Sequence, residues 1–323
     1  MSEPKVSVVI IGRNGGSRLK RCIESVLAMR QPNGGMEVFY VDSSSTDGSA
    51  DIARALGVTT LIVKPPISTA SVGRNAGWKA AKGEFIFFLD GDTVVDPNFV
   101  VDTLPDFVDE GVAVICGIRR EEYPDASPYN RALDLDWIWS FGPVEYCGGD
   151  ALIRRSVLEE VGGYDETLIA GEEPDMCWKI RNKGYIVLHV DRPMTLHDLA
   201  MTHFSQYWNR CFRTGYAYAE ISQRYKNSDD PLWLRRAHYN LLKGSGLLFI
   251  FFFSLAGIVM LGTLAPLFFF FCLIGFMVFR TALLADRFTK DLRTRIFFAL
   301  HAHFQHIPMF FGQMSYWRNH FSA

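Results

Sequence analysis

Over its first ninety or so residues the chain alternates nearly unbroken apolar runs with stretches whose apolar positions recur every three to four residues. The runs at 6–11, 37–41, 59–63 and 85–89 predict strands. The segment 17–29, with Leu19, Cys22, Ile23, Val26 and Leu27 at helical spacing, predicts a helix, as do 49–56 and 72–81. Strands without polar alternation are covered on both faces, and strands separated by helices form a mainly parallel α/β sheet. Further on, 112–117, 144–153 and 185–190 predict strands, and 155–161 and 172–182 predict helices. No Pro/Ser/Gly-rich linker divides the two parts, so they belong to one domain. Ligands of such sheets sit beyond the carboxyl ends of the strands. Gly12-Arg13-Asn14, Asp42 and Asp90 all stand at such ends.

The pattern changes at Gly244. From 244 to 285 the only charge is Arg280, and Gly262-Thr263-Leu264-Ala265-Pro266 interrupts the run. About 20 apolar residues span a bilayer core, so two transmembrane helices joined by a tight turn are expected. Arg235, Arg236 and Lys243 precede them, and Arg287, Lys290, Arg293 and Arg295 follow. Basic residues at both ends put both flanks on the cytoplasmic side. The tail at 296–317 lacks the apolar length of a third span. It predicts an interfacial helix with Tyr316, Trp317 and Arg318 at headgroup depth. His301, His303 and His306 are expected to face solvent or headgroups. The expected organisation is a domain at 1–225 (a nucleotide-binding half at 1–111, an acceptor half at 112–225), a juxtamembrane linker at 226–243, the hairpin at 244–285 and a cytoplasmic or interfacial tail at 286–323.

Composition mainly excludes. The formal net charge is −2, so no basic field argues for nucleic acid. Six cysteines without CxxC or Cys/His ligand spacing fit reduced thiols in the cytosol rather than a disulfide framework or zinc site. Met1-Ser2-Glu3-Pro4-Lys5 runs straight into the first strand with no signal peptide.

The candidate chemistry gathers at the strand ends. Asp90-Gly91-Asp92 closes the fourth strand with two carboxylates spaced i, i+2. Such a pair repels itself unless a hard cation, Mn²⁺ or Mg²⁺, sits with it, and that cation keeps open positions for phosphate oxygens. Asp42 at a strand end can accept an imide N–H, the edge a uracil presents. Arg74 and Asn75 bring a cation and an amide suited to phosphate or sugar hydroxyls. Glu172, Glu173 and Asp175 crowd the start of a helix, where clustered acids shift one another's pKa and one can serve as a base. His197 can ligate a metal or bind a phosphate, with Asp198 orienting it.

Gly12-Arg13-Asn14, residues 42–49, Gly73-Arg74-Asn75-Ala76-Gly77, Asp90-Gly91-Asp92, Gly148-Gly149-Asp150, Gly162-Gly163-Tyr164-Asp165 and Gly171-Glu172-Glu173-Pro174-Asp175 follow one another in a family's order. From residue 6 to about 218 the chain resembles family 2 glycosyltransferases of the GT-A fold. The resemblance implies inverting transfer from a UDP-, GDP- or TDP-sugar with a metal on the diphosphate. It implies a nucleotide site of Ile11, Arg13, Asn14, Asp42, Arg74, Asn75 and Asp90, and a metal held by Asp92, with Asp90 and His197. The family's Glu-Asp-x-Asp element, whose second residue is the base, falls on Glu172 to Asp175. Glu173 takes the base position with one methylene more reach, and Glu172 remains its rival. Gln206-Tyr207-Trp208-Asn209-Arg210 is similar to the Gln-x-x-Arg-Trp element of processive synthases, but Trp precedes Arg. That departure speaks against processive polymerisation and leaves Arg210 and Arg213 as phosphate or lipid-phosphate contacts.

The expected function is an integral cytoplasmic-membrane glycosyltransferase facing the cytoplasm, acting on a lipid-linked saccharide in surface polysaccharide or glycoconjugate synthesis. Alternatives are transfer to a polyprenyl phosphate, nucleotidyl transfer, or a nucleotide-binding scaffold without turnover.

Overall fold

Val6–Gly12 forms β1, buried throughout except at its final glycine, as a run without polar alternation requires. The computed structural model describes residues 4–65, 67, 69–138 and 140–321. The lead-in at 1–3 and the end of the tail at 322–323 lie outside them. After β1 come α1 (Gly16–Leu27), β2 (Met36–Asp42), α2 (Ser49–Ala55), β3 (Thr59–Ile62), α3 (Ala70–Ala80), β4 (Phe85–Asp90) and β5 (Thr93–Val95). Then follow α4 (Phe99–Thr103), β6 (Val112–Glu121), α5 (Pro128–Asp136), β7 (Gly142–Pro143), β8 (Ala151–Arg154), α6 (Arg155–Val161), α7 (Glu172–Asn182) and β9 (Ile186–His197). Five helices end the chain: α8 (Phe204–Tyr225), α9 (Leu234–Leu261), α10 (Ala265–Leu284), α11 (Leu292–Phe304) and α12 (His306–Phe321).

The chain forms two compact units, one of Met1–Glu122 with Trp137–Leu199, the other of Tyr123–Asp136 with Ala200–Ala323. The first unit is built on a nine-stranded sheet in the order β3-β2-β1-β4-β8-β6-β9-β5, with β7 beside β9. From β3 to β4 all pairings are parallel. Beyond β4 the sheet is mixed: β8 runs antiparallel to both β4 and β6, β9 runs parallel to β6, and β5 and β7 run antiparallel to β9. Gly12 pairs with Asp42, and Ile11 with Asp90. That register levels the three polar strand ends with one another.

Two boundaries differ from those the sequence predicts. Residues 144–150 are not strand: Val144 N donates to the Val187 carbonyl of β9 at 2.9 Å, but β7 and β8 merely flank the stretch, and Gly148 sits at φ +81°, outside strand geometry. Strand β9 continues past 190 to His197 because register shifts along β6 absorb the Asp191-Arg192-Pro193 interruption.

In the second unit, α9 and α10 are long and apolar enough to cross a membrane, and most of their side chains are exposed. Helix α9 begins at Leu234, inside the expected linker, and residues 204–225 form α8 of this unit rather than part of the sheet domain. The tail is not a lone surface helix. A Cβ on Gly215 of α8 would come 2.0 Å from the Met309 carbonyl oxygen of α12, and one on Gly312 of α12 2.0 Å from that of Phe212. The two backbones touch, which only small residues allow. Tyr316 is buried edge-on against Tyr216, while Arg318 is exposed. His301 and His306 are buried instead of facing solvent, and His303 is half-buried. His301 lies between Asp136 (Nε2 to Oδ2, 2.6 Å) and Tyr207 (Nδ1 to Oη, 2.9 Å). His306 Nδ1 meets Asn240 at 2.6 Å, and His303 meets Thr281 at 2.8 Å. Buried polar groups need such partners, and the helices that supply them are far away in sequence.

Candidate active site

Arg74, fully buried on α3, organises the acids. Its Nη2 donates to Asp90 Oδ1 at 2.9 Å, its Nη1 donates to Glu172 Oε1 at 2.9 Å, and Glu173 Oε1 lies 3.9 Å from Nη2. A buried guanidinium bonded to two carboxylates differs from a surface ion pair. Removing one buried partner costs about 3–5 kcal/mol, against roughly 0–1 for an exposed pair. The loop between β7 and β8 closes over this network. A Cβ on Gly149 would lie 2.5 Å from Asp90 Oδ2 and 3.0 Å from Arg74 Nη2, so only glycine lets the chain pass there. The next residue, Asp150, accepts from Asp90 N (3.0 Å) and from Thr195 Oγ1 (2.8 Å). Burial raises the Asp150 pKa against the pull of Arg119, whose guanidinium lies 3.7 Å from Asp90 and 3.8 Å from Asp150.

One turn on, Asp92 completes a second cluster. Oxygens of Asp90 and Asp92 and a ring nitrogen of His197 lie within 4.8 Å of one another, with His197 Nε2 3.2 Å from Asp92 Oδ1. Strand β5 pairs with the end of β9, matching Thr93 with His197, which is how a residue so distant in sequence arrives here. Burial, and next the charge of Asp90, push Asp92 up to about 7, against Arg18 and Arg119. Arg18 on α1 lies 3.6 Å from Asp92 Oδ2. The Trp137 ring meets His197 edge-on at 5.3 Å, and Arg119 lies 4.7 Å from the centre of its ring. Two carboxylates and an imidazole, with excess negative charge, suit Mn²⁺ or Mg²⁺.

The three acids that open α7 separate by environment. Glu172 is bonded to Arg74. Asp175 is fully buried and ion-paired with Lys179 at 2.7 Å. Glu173 is 21% exposed and only loosely held by Arg74, and burial, then Glu172, push it up to about 7. Its access and its raised pKa suit it to exchanging a proton near neutrality.

The expected nucleotide residues divide in the same way. Asp42, 2% exposed, accepts from Tyr40 Oη and from Ser45 N, both at 2.8 Å, on different oxygens. Each carboxylate oxygen keeps a lone pair. The Ile11 carbonyl accepts from Gly91 N at 2.8 Å, and its side chain is buried. Arg13 and Asn14 are exposed. Asn14 also pins the 45–46 turn, with its Oδ1 accepting from Thr46 N and its N donating to Ser45 Oγ, each at 2.8 Å. Asn75 corrects the sequence reading. Its Nδ2 donates to the Tyr164 carbonyl and to Glu166, while its Oδ1 accepts from Trp78 Nε1 and Tyr164 N. All four bonding positions of that amide are filled, so Asn75 clamps α3 to residues 164–166 and has no group left for a nucleotide. Arg210 and Arg213 are on α8, in the second unit. Sequence reasoning missed Arg18, Arg119 and Trp137 altogether. The strand end at Gly148-Gly149-Asp150 was a signal for Asp150.

Comparison with known proteins follows this geometry. A model of glycosyl transferase family 2 matches residues 7–162, and one of glycosyl transferase family group 2 matches 85–283. A pre-mycofactocin glycosyltransferase of Mycobacterium tuberculosis is 28% identical over 214 residues, 61% of this chain and 43% of its own. The chain thus matches less than half of that relative's length. The glycosyltransferase AglE of Haloferax volcanii is 24% identical over 225 residues, 66% of this chain and 72% of its own. The O-antigen chain rhamnosyltransferase WbaN of Salmonella anatum is 27% identical over 206 residues, 59% and 65% of the respective chains. Among solved structures, the mannosyltransferase PcManGT of Pyrobaculum calidifontis, in complex with GDP-Man and Mn²⁺, superposes with a TM-score of 0.67 at 17% identity, covering 97% of this chain and 87% of that one. S. aureus TarS 1–349 with UDP-GlcNAc gives 0.51 at 15% identity, covering 98% and 92%. At these identities the likeness is one of fold.

Proposed function

The chain belongs to glycosyl transferase family 2, and from that premise we propose that it moves a sugar, with inversion, from a nucleotide-diphospho-sugar to a lipid-linked saccharide at a membrane. The observation that carries this reading is the shared guanidinium of Arg74, which ties Glu173, a carboxyl that titrates near neutrality, to the Asp90 end of a cation-binding cluster. An acceptor hydroxyl must lose its proton as its oxygen attacks the anomeric carbon. Glu173 takes that proton, and a positioned base contributes about 10²–10⁴-fold. The bond from the sugar to the diphosphate breaks on the opposite face, so one displacement inverts the centre. Asp90, Asp92 and His197 would hold Mn²⁺ or Mg²⁺, which when bound neutralises the departing diphosphate. Arg18 and Arg119 add fixed positive charge beside the same acids. Asp42, held by Tyr40 and Ser45, accepts an N–H from the nucleobase with its remaining lone pairs. Guanine and uracil, the bases in the donors bound by PcManGT and TarS, both present such an N–H.

The acceptor class rests on the second unit. Helices α9 and α10 span the bilayer as a hairpin with both flanks cytoplasmic. Leu292, Ile296, Leu300 and Phe304, four apart along α11, are exposed and continue the apolar surface toward the headgroups. An active unit tethered in this way works where lipid-linked saccharides lie.

The reading is tested by incubating the purified full chain with UDP-, GDP- and TDP-sugars and a membrane lipid extract. Free nucleoside diphosphate and a glycosylated lipid are the expected products. Pyrophosphate release would instead mean nucleotidyl transfer, and binding without turnover a scaffold. In calorimetry with the matching nucleotide, Asp42→Ala should weaken binding by about 1–3 kcal/mol; equal affinity would return Asp42 to a structural turn.

The hairpin has its own test. With the exposed Cys272 replaced by serine, Thr263→Cys should react with an impermeant maleimide in intact cells, and Lys290→Cys only after permeabilisation. Labelling of both from one side would replace a spanning hairpin with attachment to a single leaflet.

A further inference from the structure

Helix α1 carries two arginines one turn apart, and both reach the end of β9. Arg18 Nη1 donates to the Asp198 carbonyl at 3.3 Å and lies 3.6 Å from Asp92 Oδ2. Arg21 reaches the two carboxylates just beyond β6 and β9. Its Nη2 donates to Asp198 Oδ2 at 3.0 Å and its Nη1 to Glu122 Oε1 at 2.5 Å. Glu122 and Asp198 follow directly on Glu121 and His197, the last residues of β6 and β9. Glu122 N donates to the His197 carbonyl and Asp198 N to the Asp92 carbonyl, both at 2.9 Å. At Glu122 and at Leu199 the chain leaves the first unit.

We propose that Arg21 is a positioning residue. It bridges the two carboxylates at the ends of β6 and β9 and thereby keeps the His197 ring in ligand range of Asp90 and Asp92. Without it, Glu122 and Asp198 repel each other, and of these ties to α1 the backbone that carries His197 keeps the longer bond from Arg18 to the Asp198 carbonyl. The inference rests on the reading of Asp90, Asp92 and His197 as a divalent-cation site. Residues that orient metal ligands from behind typically change metal affinity by about 10–100-fold when lost.

The sign of the effect separates positioning from plain electrostatics. Arg18 and Arg21 both place positive charge near the acids, so by Coulomb's law alone removing either would tighten cation binding. Positioning predicts opposite signs. Arg18→Met should tighten binding, because Arg18 competes for Asp92, and Arg21→Met should weaken it by about 10–100-fold.

The measurement is Mn²⁺ titration of the purified full chain, alone and with UDP or GDP, read from the electron paramagnetic resonance of the free ion. It needs no turnover. The Arg21→Met loss should vanish in a His197→Ala background, since a double-mutant cycle isolates what one residue does through the other. Equal or tighter Mn²⁺ binding by Arg21→Met, or the same loss with and without His197, would overturn the proposal. Absence of Mn²⁺ binding to the unaltered chain would overturn the cation reading itself. Arg21→Lys, which keeps the charge and reaches only one carboxylate at a time, serves if the methionine variant does not fold. It should bind Mn²⁺ more weakly than arginine, and equal affinity would count against positioning.

Discussion

Glu173→Gln is expected to lower sugar transfer by about 10²–10⁴-fold, the contribution of a positioned base, while nucleotide affinity stays nearly unchanged. The amide keeps the shape of the carboxyl and its reach toward Arg74 but cannot take a proton from the acceptor. A group that acts only as the acceptor attacks should lower kcat and kcat/KM together. The burial and the Glu172 charge that raise Glu173 to about 7 also set a pH profile: transfer should rise with pH through about 7 as the carboxyl ionises, and the glutamine variant should lose that limb. Steady-state kinetics across pH, with calorimetry for the nucleotide, checks both parts. The rival is Glu172. Because it bonds the buried Arg74, Glu172→Gln should cost stability more than chemistry. If Glu172→Gln loses transfer with unchanged melting temperature and Glu173→Gln stays active, the base assignment is off by one residue.

Asp92→Asn should remove cation dependence and turnover together, with a fall of about 10²–10³-fold, the scale for losing one well-placed group that stabilises developing charge. Unchanged turnover in excess chelator would sink the cation reading. A second readout needs no substrate. Asp92 titrates at about 7 in the fold, above its ordinary value of 3.8. Across that window the metal-free folded chain binds more protons than the unfolded chain, so its stability falls as pH rises. A divalent cation displaces the proton. Mn²⁺ should therefore raise the melting temperature more at about pH 8 than at about pH 5, and Asp92→Asn should erase the difference.

Local signals in the sequence were enough for the first half of the sheet. Apolar runs without alternation marked β1, β2 and β4, and the motifs at their ends marked Asp42, Asp90 and Asp92. What stayed hidden depends on pairing between distant segments. Strand β9 was cut short at Asp191-Arg192-Pro193 because a turn-like triplet can be absorbed by register shifts that only the partner strand reveals. Arg119 and Trp137 carry no motif of their own; the ladder between β6 and β9 and the loop after α5 bring them to the acids. Asn75 was misread for the opposite reason. Its motif company suggested a ligand, but its amide is filled by Trp78 one helical turn on and by Tyr164 and Glu166, about 90 positions away. The tail histidines were misjudged because their partners belong to α5, α8, α9 and α10, and no local pattern at 296–317 encodes those neighbours.

Helix α5 pairs with a part of the chain made long after it. Arg131 of α5 meets Asp291 at 3.1 Å, and Asp136 meets His301 at 2.6 Å. During synthesis α5 emerges before β7, β8 and β9 exist and waits until α11 is made, about 150 residues later. At roughly 5–20 residues per second that interval is about 8–30 seconds. Through it the buried face of α5, with Ala132, Leu133 and Leu135, lacks its α11 partner, although Tyr129 meets the Tyr207 ring of α8 earlier, and it is open to chaperones or to association with other nascent chains. The contact of α8 with α12 through Gly215 and Gly312 defers closure further, until residues 306–321 are made. A stop codon placed before α12 would leave α8 and α9 without that partner, so yield in the cell should fall on loss of residues 306–321 even though the acids belong to the other unit.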